Sequence, residues 1–270
     1  MSADTPTQVA ARVPVSCIAP LRVPGWEAFA GLVHGFCGRR GGASVGDFAE
    51  LNVSFRVGDA TAAVDANWHR VAALTGGRLR FATMRQQHGD VVATVGSTVD
   101  EPPTADALAT AAAGVGLSVL TADCVPILMV APEQRVVAAV HAGWRGTLAG
   151  IGLRAVRVLA EQFAARPATI HAALGPAIGG CCYEVDASVA DAFESRYGTC
   201  GDGIQRARLA AKVRLDLRHI NMRLLHAAGL PPHQTVAVGP CTSCAESEYF
   251  SYRAAGGVTG RQLSFIGWSD

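Results

Sequence analysis

Residues 121–147 read TADCVPILMVAPEQRVVAAVHAGWRGT. Two apolar runs, 126–131 and 136–140, are bounded by turn-forming residues and joined by the polar stretch 132–134, which predicts an antiparallel hairpin. In such a hairpin the entry to the first strand lies beside the exit from the second. Asp123 and Cys124 stand at that entry, and His141, Trp144 and Arg145 at that exit. Cys124 and His141 should therefore meet, although seventeen positions separate them. A thiol and an imidazole brought together in this way are either two metal ligands or a nucleophile with its base.

Outward from the hairpin, the chain alternates strand and helix signals. Residues 32–36, 52–57, 91–95, 169–174, 234–238 and 261–268 read as strands or extended segments. Val64, Trp68, Val71 and Leu74 recur at helical spacing, with Asp59 and Thr61 as N-cap candidates and Gly76–Gly77 as the stop. Leu148, Ile151, Ala155, Leu159 and Phe163 fall on one helical face, with Arg154, Arg157 and Glu161 opposite. Two more helices follow, marked by Val189, Phe193 and Tyr197, and by Leu217, Ile220, Leu224 and Ala228. The sequence predicts an α/β fold, mixed α+β in character, with mixed β-sheets flanked by helices. Residues 1–20 read as a loose lead-in and 21–270 as a single catalytic domain.

Composition narrows the function. Half of the 270 residues are apolar, ample for a sizeable core, and the net charge of +1 gives no footprint for nucleic acid or an anionic membrane. Residues 106–123 come nearest to a membrane span, but they are short, rich in small residues and flanked by acids. The N-terminus has neither a charged start nor an apolar run, so the expectation is a cytoplasmic chain whose eight cysteines stay reduced. Catalysis or metal binding is then the question to ask of those thiols.

A second histidine joins the hairpin pair. His88 follows a strand and precedes a Gly-Asp turn, which places its ring at a loop mouth. One Cys and two His would make a three-ligand site that leaves a tetrahedral metal one open position. Their separations of thirty-six and seventeen positions suit ligands from different loops, unlike a zinc finger. Arg145 and the loop 38–46, with Arg39, Arg40 and four glycines, are candidate anion binders, since a guanidinium fork matches phosphate. Asn52 is suited to a ribose hydroxyl or a base edge, or equally to a turn, and Tyr183 and Tyr249 to stacking on a purine or equally to packing. Asp106, between apolar neighbours, and Asp123 are read as acids that orient the ligating residues. Cys241-x-x-Cys244 and the adjacent Cys181–Cys182 are read as structural or loop thiols.

The run TADCVPILMV…VVAAVHAGWRGT resembles the signature of the laccase-domain family, also called multicopper polyphenol oxidases. The likeness continues through GGAS…LNVSFRVGD, QQHGDVV, ADALAT, LGPAIGGCCYEV, LDL, CTSC and FSYRAAGGVTGRQ. Members of that family have been reassigned as zinc-dependent purine nucleoside phosphorylases with adenosine deaminase activity, and some are described as peptidoglycan editing factors. The resemblance implies that His88, Cys124 and His141 are zinc ligands, and that substrates are purine nucleosides (adenosine, inosine, methylthioadenosine) and phosphate. It also implies substrate contact at Arg40, Asn52 and Arg145. The sequence departs from the family at Cys37-Gly38-Arg39-Arg40-Gly41-Gly42, where Thr-Arg usually precedes the glycines.

Two other chemistries compete. A copper oxidase would suit the family's older name, and copper could replace zinc at one Cys and two His. A laccase also needs a multinuclear cluster, whereas this chain has eight histidines and not one His-x-His pair. A metal-free cysteine hydrolase would use Cys124 as nucleophile and His141 or His88 as base, and that chemistry, or a zinc hydrolase, could serve peptidoglycan precursor editing.

Overall fold

The computed structural model describes residues 18–98, 101–206 and 212–269. Most of the expected lead-in, residues 1–17, lies outside the described residues. The predicted hairpin forms from β6 (Val125–Ala131) and β7 (Val136–Ala142), paired antiparallel with Val125 opposite Ala142 and Pro126 opposite His141.

That hairpin is the centre of a six-stranded mixed sheet. On one side β6 pairs with β8 (His171–Leu174), followed by β12 (Thr235–Ala237). On the other, β7 pairs with β4 (Ala107–Thr110), followed by β3 (Val92–Thr94). A four-stranded sheet runs β1 (Leu32–Phe36), β13 (Gln262–Trp268), β5 (Val115–Thr121) and β2 (Arg80–Ala82). A small antiparallel sheet joins β10 (Ile204–Arg206), β11 (Lys212–Leu215) and β9 (Glu184–Asp186).

Every residue of β6 and β7 is buried, because the central sheet is covered on both faces. Side chains alternate across a strand, so one run serves two cores. Ile127 and Met129 face Ile151, Ala155, Leu159 and Leu225 on the helical side. Leu128 and Val130 face Val115, Leu117, Val119 and Ile266 of the four-stranded sheet. A continuous apolar run rather than an alternating one is what such a strand requires.

The helices are α1 (Thr61–Leu74), α2 (Trp144–Ala149), α3 (Ile151–Phe163), α4 (Ala187–Tyr197) and α5 (Leu217–Ala227). Two expectations need correction. The apolar stripe from Leu148 to Phe163 belongs to two helices, broken where Gly150 takes φ +91°. Residues 52–57 form a loop rather than a strand. There Asn52 Oδ1 accepts from the Ser54 N–H (3.0 Å) and Asn52 Nδ2 donates to the Ser54 carbonyl (3.2 Å), local bonds that compete with a strand ladder.

Candidate active site

Cys124 immediately precedes β6 and His141 lies one residue from the end of β7, so the hairpin register sets them side by side. His88 arrives from the loop between β2 and β3. That loop hangs on Asp106, which is only 1% exposed. Its carboxylate accepts the backbone N–H groups of Gln87 (3.1 Å), His88 (2.9 Å) and Gly89 (2.7 Å). Asp106 Oδ1 also lies 2.8 Å from His141 Nδ1. One buried carboxylate therefore fixes the peptide that carries His88 and the ring of His141. His88 sits at φ +60°, an unusual conformation for a residue with a side chain, and these bonds hold it there.

Two glycines of the segment His-Ala-Gly-Trp-Arg-Gly make this approach possible. A Cβ on Gly143 would stand 3.0 Å from both Cys124 Sγ and His88 Cδ2. A Cβ on Gly146 would stand 2.8 Å from the Gly89 carbonyl oxygen. A side chain at Gly146 would push the hairpin exit and the His88 loop apart, and one at Gly143 would crowd the Cys124 and His88 side chains.

The ligating atoms of His88, Cys124 and His141 lie within 4.8 Å of one another and could hold a metal ion. The two imidazole rings meet nearly edge to face, with centroids 4.7 Å apart. Asp106 holds Nδ1 of His141, which leaves Nε2 for Cys124 or a metal. The donor set of one thiol and two imidazoles fits zinc or copper, and orienting a ligating histidine through its other nitrogen is the usual support for such a site. Electrostatics agree. Burial pushes the Cys124 thiol up, but the charge and hydrogen bonds of His141, with those of His88, outweigh it and bring the thiol to about 6. Burial pushes His141 down, but Cys124 and Asp106 raise it to about 9. The sulfur is thus held as a thiolate, the form that binds metal or attacks carbon.

Asp123 acts through loop contacts rather than through an imidazole nitrogen. Its Oδ1 accepts the Thr242 hydroxyl and its Oδ2 the Arg253 N–H, each at 2.7 Å. It ties two neighbouring loops to the residue before Cys124 and has no bond to either imidazole among those observed.

The three donors line a cavity of about 660 Å³. Arg145 lines it as expected, stacked 4.5 Å over Trp144. Three arginines not singled out from the sequence join it: Arg56, Arg253 and Arg261. Arg253 stacks 5.1 Å over Tyr183 and Arg261 5.7 Å over Tyr252, both rings also lining the cavity. Tyr183 thus stands where a purine could stack, while Tyr252 rather than Tyr249 supplies a second ring.

Arg40 and Asn52 are not brought to this cavity. Arg40 pairs with Glu50 (3.5 Å) and Glu248 (3.4 Å) at the surface. Asn52 is fully buried, and its amide is occupied by Ser54, Asp59 and the Arg261 N–H. Its bond to Arg261 (2.9 Å) makes it a support for a cavity residue. Arg56, Arg253 and Arg261 lie in LNVSFRVGD and FSYRAAGGVTGRQ, where an arginine among loop residues was the available signal.

Residues 33–269 match the family described as Multi-copper polyphenol oxidoreductase laccase. The purine nucleoside phosphorylase YlmD of Geobacillus stearothermophilus is 39% identical over 253 residues, covering 90% of this chain and 92% of the relative. Adenosine deaminase RL5, from an unknown prokaryotic organism, is 38% identical over 161 residues, covering 60% of this chain and 61% of the relative. The crystal structure of YlmD from G. stearothermophilus superposes with a TM-score of 0.86 at 36% identity, covering 97% of this chain and 98% of the other.

Proposed function

We propose that this chain, which belongs to the multi-copper polyphenol oxidoreductase laccase family, is a purine nucleoside phosphorylase that also deaminates adenosine, with zinc held by His88, Cys124 and His141. The observation that carries the reading is the convergence of one cysteine and two histidines in a cavity lined by four arginines and two tyrosines. Its relatives carry the names of both activities. When bound, zinc would supply Lewis acidity and lower the pKa of a water molecule towards about 7, the property that attack on a purine ring position needs.

The chain's own residues divide the remaining work. Arg145, aided by Arg56 and Arg261, would bind phosphate by charge-assisted hydrogen bonds and hold it against the sugar. Tyr183, backed by Arg253, would stack on the base and fix its plane. Asp106 holds His88 and His141 in place, with its acceptor capacity spent on them, and is therefore a positioning residue rather than a proton carrier. Asp123 positions Cys124 by anchoring the backbone just before it. Asn52 supports Arg261 from behind, and Arg40 stays outside the reaction.

Multinuclear copper chemistry is set aside because the described residues offer no histidine-rich cluster for it. A metal-free cysteine hydrolase remains a distinct second reading, favoured by the thiolate that His141 sustains at Cys124. One experiment separates them: elemental analysis of protein produced without added metal, with a product screen on adenosine, inosine and methylthioadenosine with and without phosphate. Nucleoside turnover that survives complete metal removal would sink the zinc reading.

A further inference from the structure

The four cysteines read from the sequence as loop thiols converge in space. Strands β8 and β12 are parallel neighbours, with Leu174 opposite Ala237, so both chains leave the sheet at the same end. Beyond them Ala177 bridges to Cys241. The loop carrying Cys181 and Cys182 thus runs beside the loop carrying Cys241 and Cys244. All four sulfurs lie within 4.8 Å of one another. Cys244 Sγ is 3.6 Å from that of Cys181 and 3.4 Å from that of Cys182.

Those separations are those of a coordination shell. Four sulfurs placed about 2.3 Å from a tetrahedral zinc ion stand about 3.8 Å from each other. A disulfide would instead select one pair and leave the other two thiols aside, whereas Cys244 is shared almost evenly between Cys181 and Cys182. Cys241-Thr-Ser-Cys244 has the two-residue spacing common in structural zinc sites. The Gly179 N–H points at Cys241 Sγ from 3.2 Å, a donor placed to stabilise a thiolate. Gly179 and Gly180 supply the close turn, closed by the Cys182 N–H on the Gly179 carbonyl.

We propose that Cys181, Cys182, Cys241 and Cys244 form a second metal site, a structural tetrathiolate zinc centre that clamps the loop after β8 to the loop after β12. The clamp has a purpose in the fold. Thr242, between the last two ligands, donates to Asp123, and the Ile178 N–H donates to the Asp123 carbonyl (2.9 Å). Tyr183, adjacent to Cys182, lines the active-site cavity. Fixing the two loops fixes one wall of that cavity and the residue before Cys124. Metal binding would draw protons from the four thiols and add its free energy to that of the folded loops.

The site stands on its own geometry, so its test is independent of the proposed reaction. Zinc per chain is measured on the wild-type protein, on Cys124→Ser and on the double variant Cys241→Ser/Cys244→Ser, all purified with reductant and zinc. The expected contents are two, one and one. Cobalt then replaces zinc in the Cys124→Ser protein, where the sulfur-to-cobalt charge-transfer band should have the intensity of four thiolates. That spectrum decides the matter even if the double variant fails to fold. Wild-type protein and the double variant holding the same zinc, or Cys124→Ser protein that shows no four-thiolate band or carries a disulfide among these cysteines, would overturn the proposal.

Discussion

Asp106 Oδ1 lies 2.8 Å from His141 Nδ1 while the same carboxylate takes three consecutive backbone N–H groups from Gln87, His88 and Gly89. Burial would raise the Asp106 carboxyl, but the His141 bond and the backbone bonds hold it below the usual range. It is therefore an anion through the neutral range, and all its partners are donors. Asp106→Asn puts an amide N–H₂ where an acceptor is required. The expected result is a tenfold to hundredfold loss of metal affinity, on the order seen when the partner of a ligating histidine is removed. The His88 loop should also loosen, read as faster hydrogen exchange at Gln87–Gly89. Full metal affinity in the Asn variant would separate Asp106 from the metal centre.

Cys124→Ser, His88→Ala and His141→Ala should each strip the metal from this centre, because two remaining donors hold zinc poorly. Elemental analysis after dialysis against a mild chelator reads the outcome. Cys124→Ser that keeps its metal at this centre would mean that the ligand set is wrong.

Arg145→Ala should raise the KM for phosphate by one to two decades, from the roughly 1.5–3 kcal/mol that a charge-assisted bond contributes. Arg40→Ala should leave that constant unchanged, since Arg40 is engaged with Glu50 and Glu248 outside the cavity. The contrast between the two variants locates the anion site. Equal effects would move it towards the loop 38–46.

How legible this was in the sequence depends on chain separation. The β6–β7 hairpin is local, so its turn, its register and the meeting of Cys124 with His141 follow from seventeen residues of pattern. Strands β4 and β5 are harder to see, because the Ala, Gly and Ser among their residues carry weak strand signals and burial between two layers makes them strands. Arg253 and Arg261 reach the cavity from a segment more than a hundred residues after Cys124, and no local pattern says which loop arginine will do so. The four-thiol cluster was hidden for the same reason. Its two halves are about sixty residues apart and meet only because β8 and β12 are parallel neighbours.

His34 gives the fold an acid limit separate from the active site. Its ring is 5% exposed, and Nε2 accepts the Val23 N–H at 3.0 Å. Burial, then the nearby Arg22 charge, lower it from 6.5 to about 4, with Glu27 opposing weakly. Between those values the unfolded chain takes up a proton that the folded chain refuses. Stability is therefore full above pH 6.5 and falls as pH drops to about 4, by ~2–3 kcal/mol from this group. In thermal melts, the stability gap between wild type and His34→Gln should narrow across that window. A gap that does not change with pH would remove His34 as the cause.

The two proposed reactions differ in their need for phosphate, and that difference tests whether one pocket serves both. Deamination consumes water and releases ammonia, so adenosine should give inosine at the same rate in phosphate-free buffer. Phosphorolysis should give free base and ribose 1-phosphate only when phosphate is added. Both would use the pocket that His88, Cys124 and His141 share with Arg145. Inosine should therefore inhibit adenosine deamination competitively, and His141→Ala should abolish both activities together. His141 is buried and bonded to Asp106, so the variant's folding must be checked by its melt before its rates are read. A folded His141→Ala protein, prepared in parallel with the wild type, that retains either rate would assign that rate to another site or to a contaminating host enzyme.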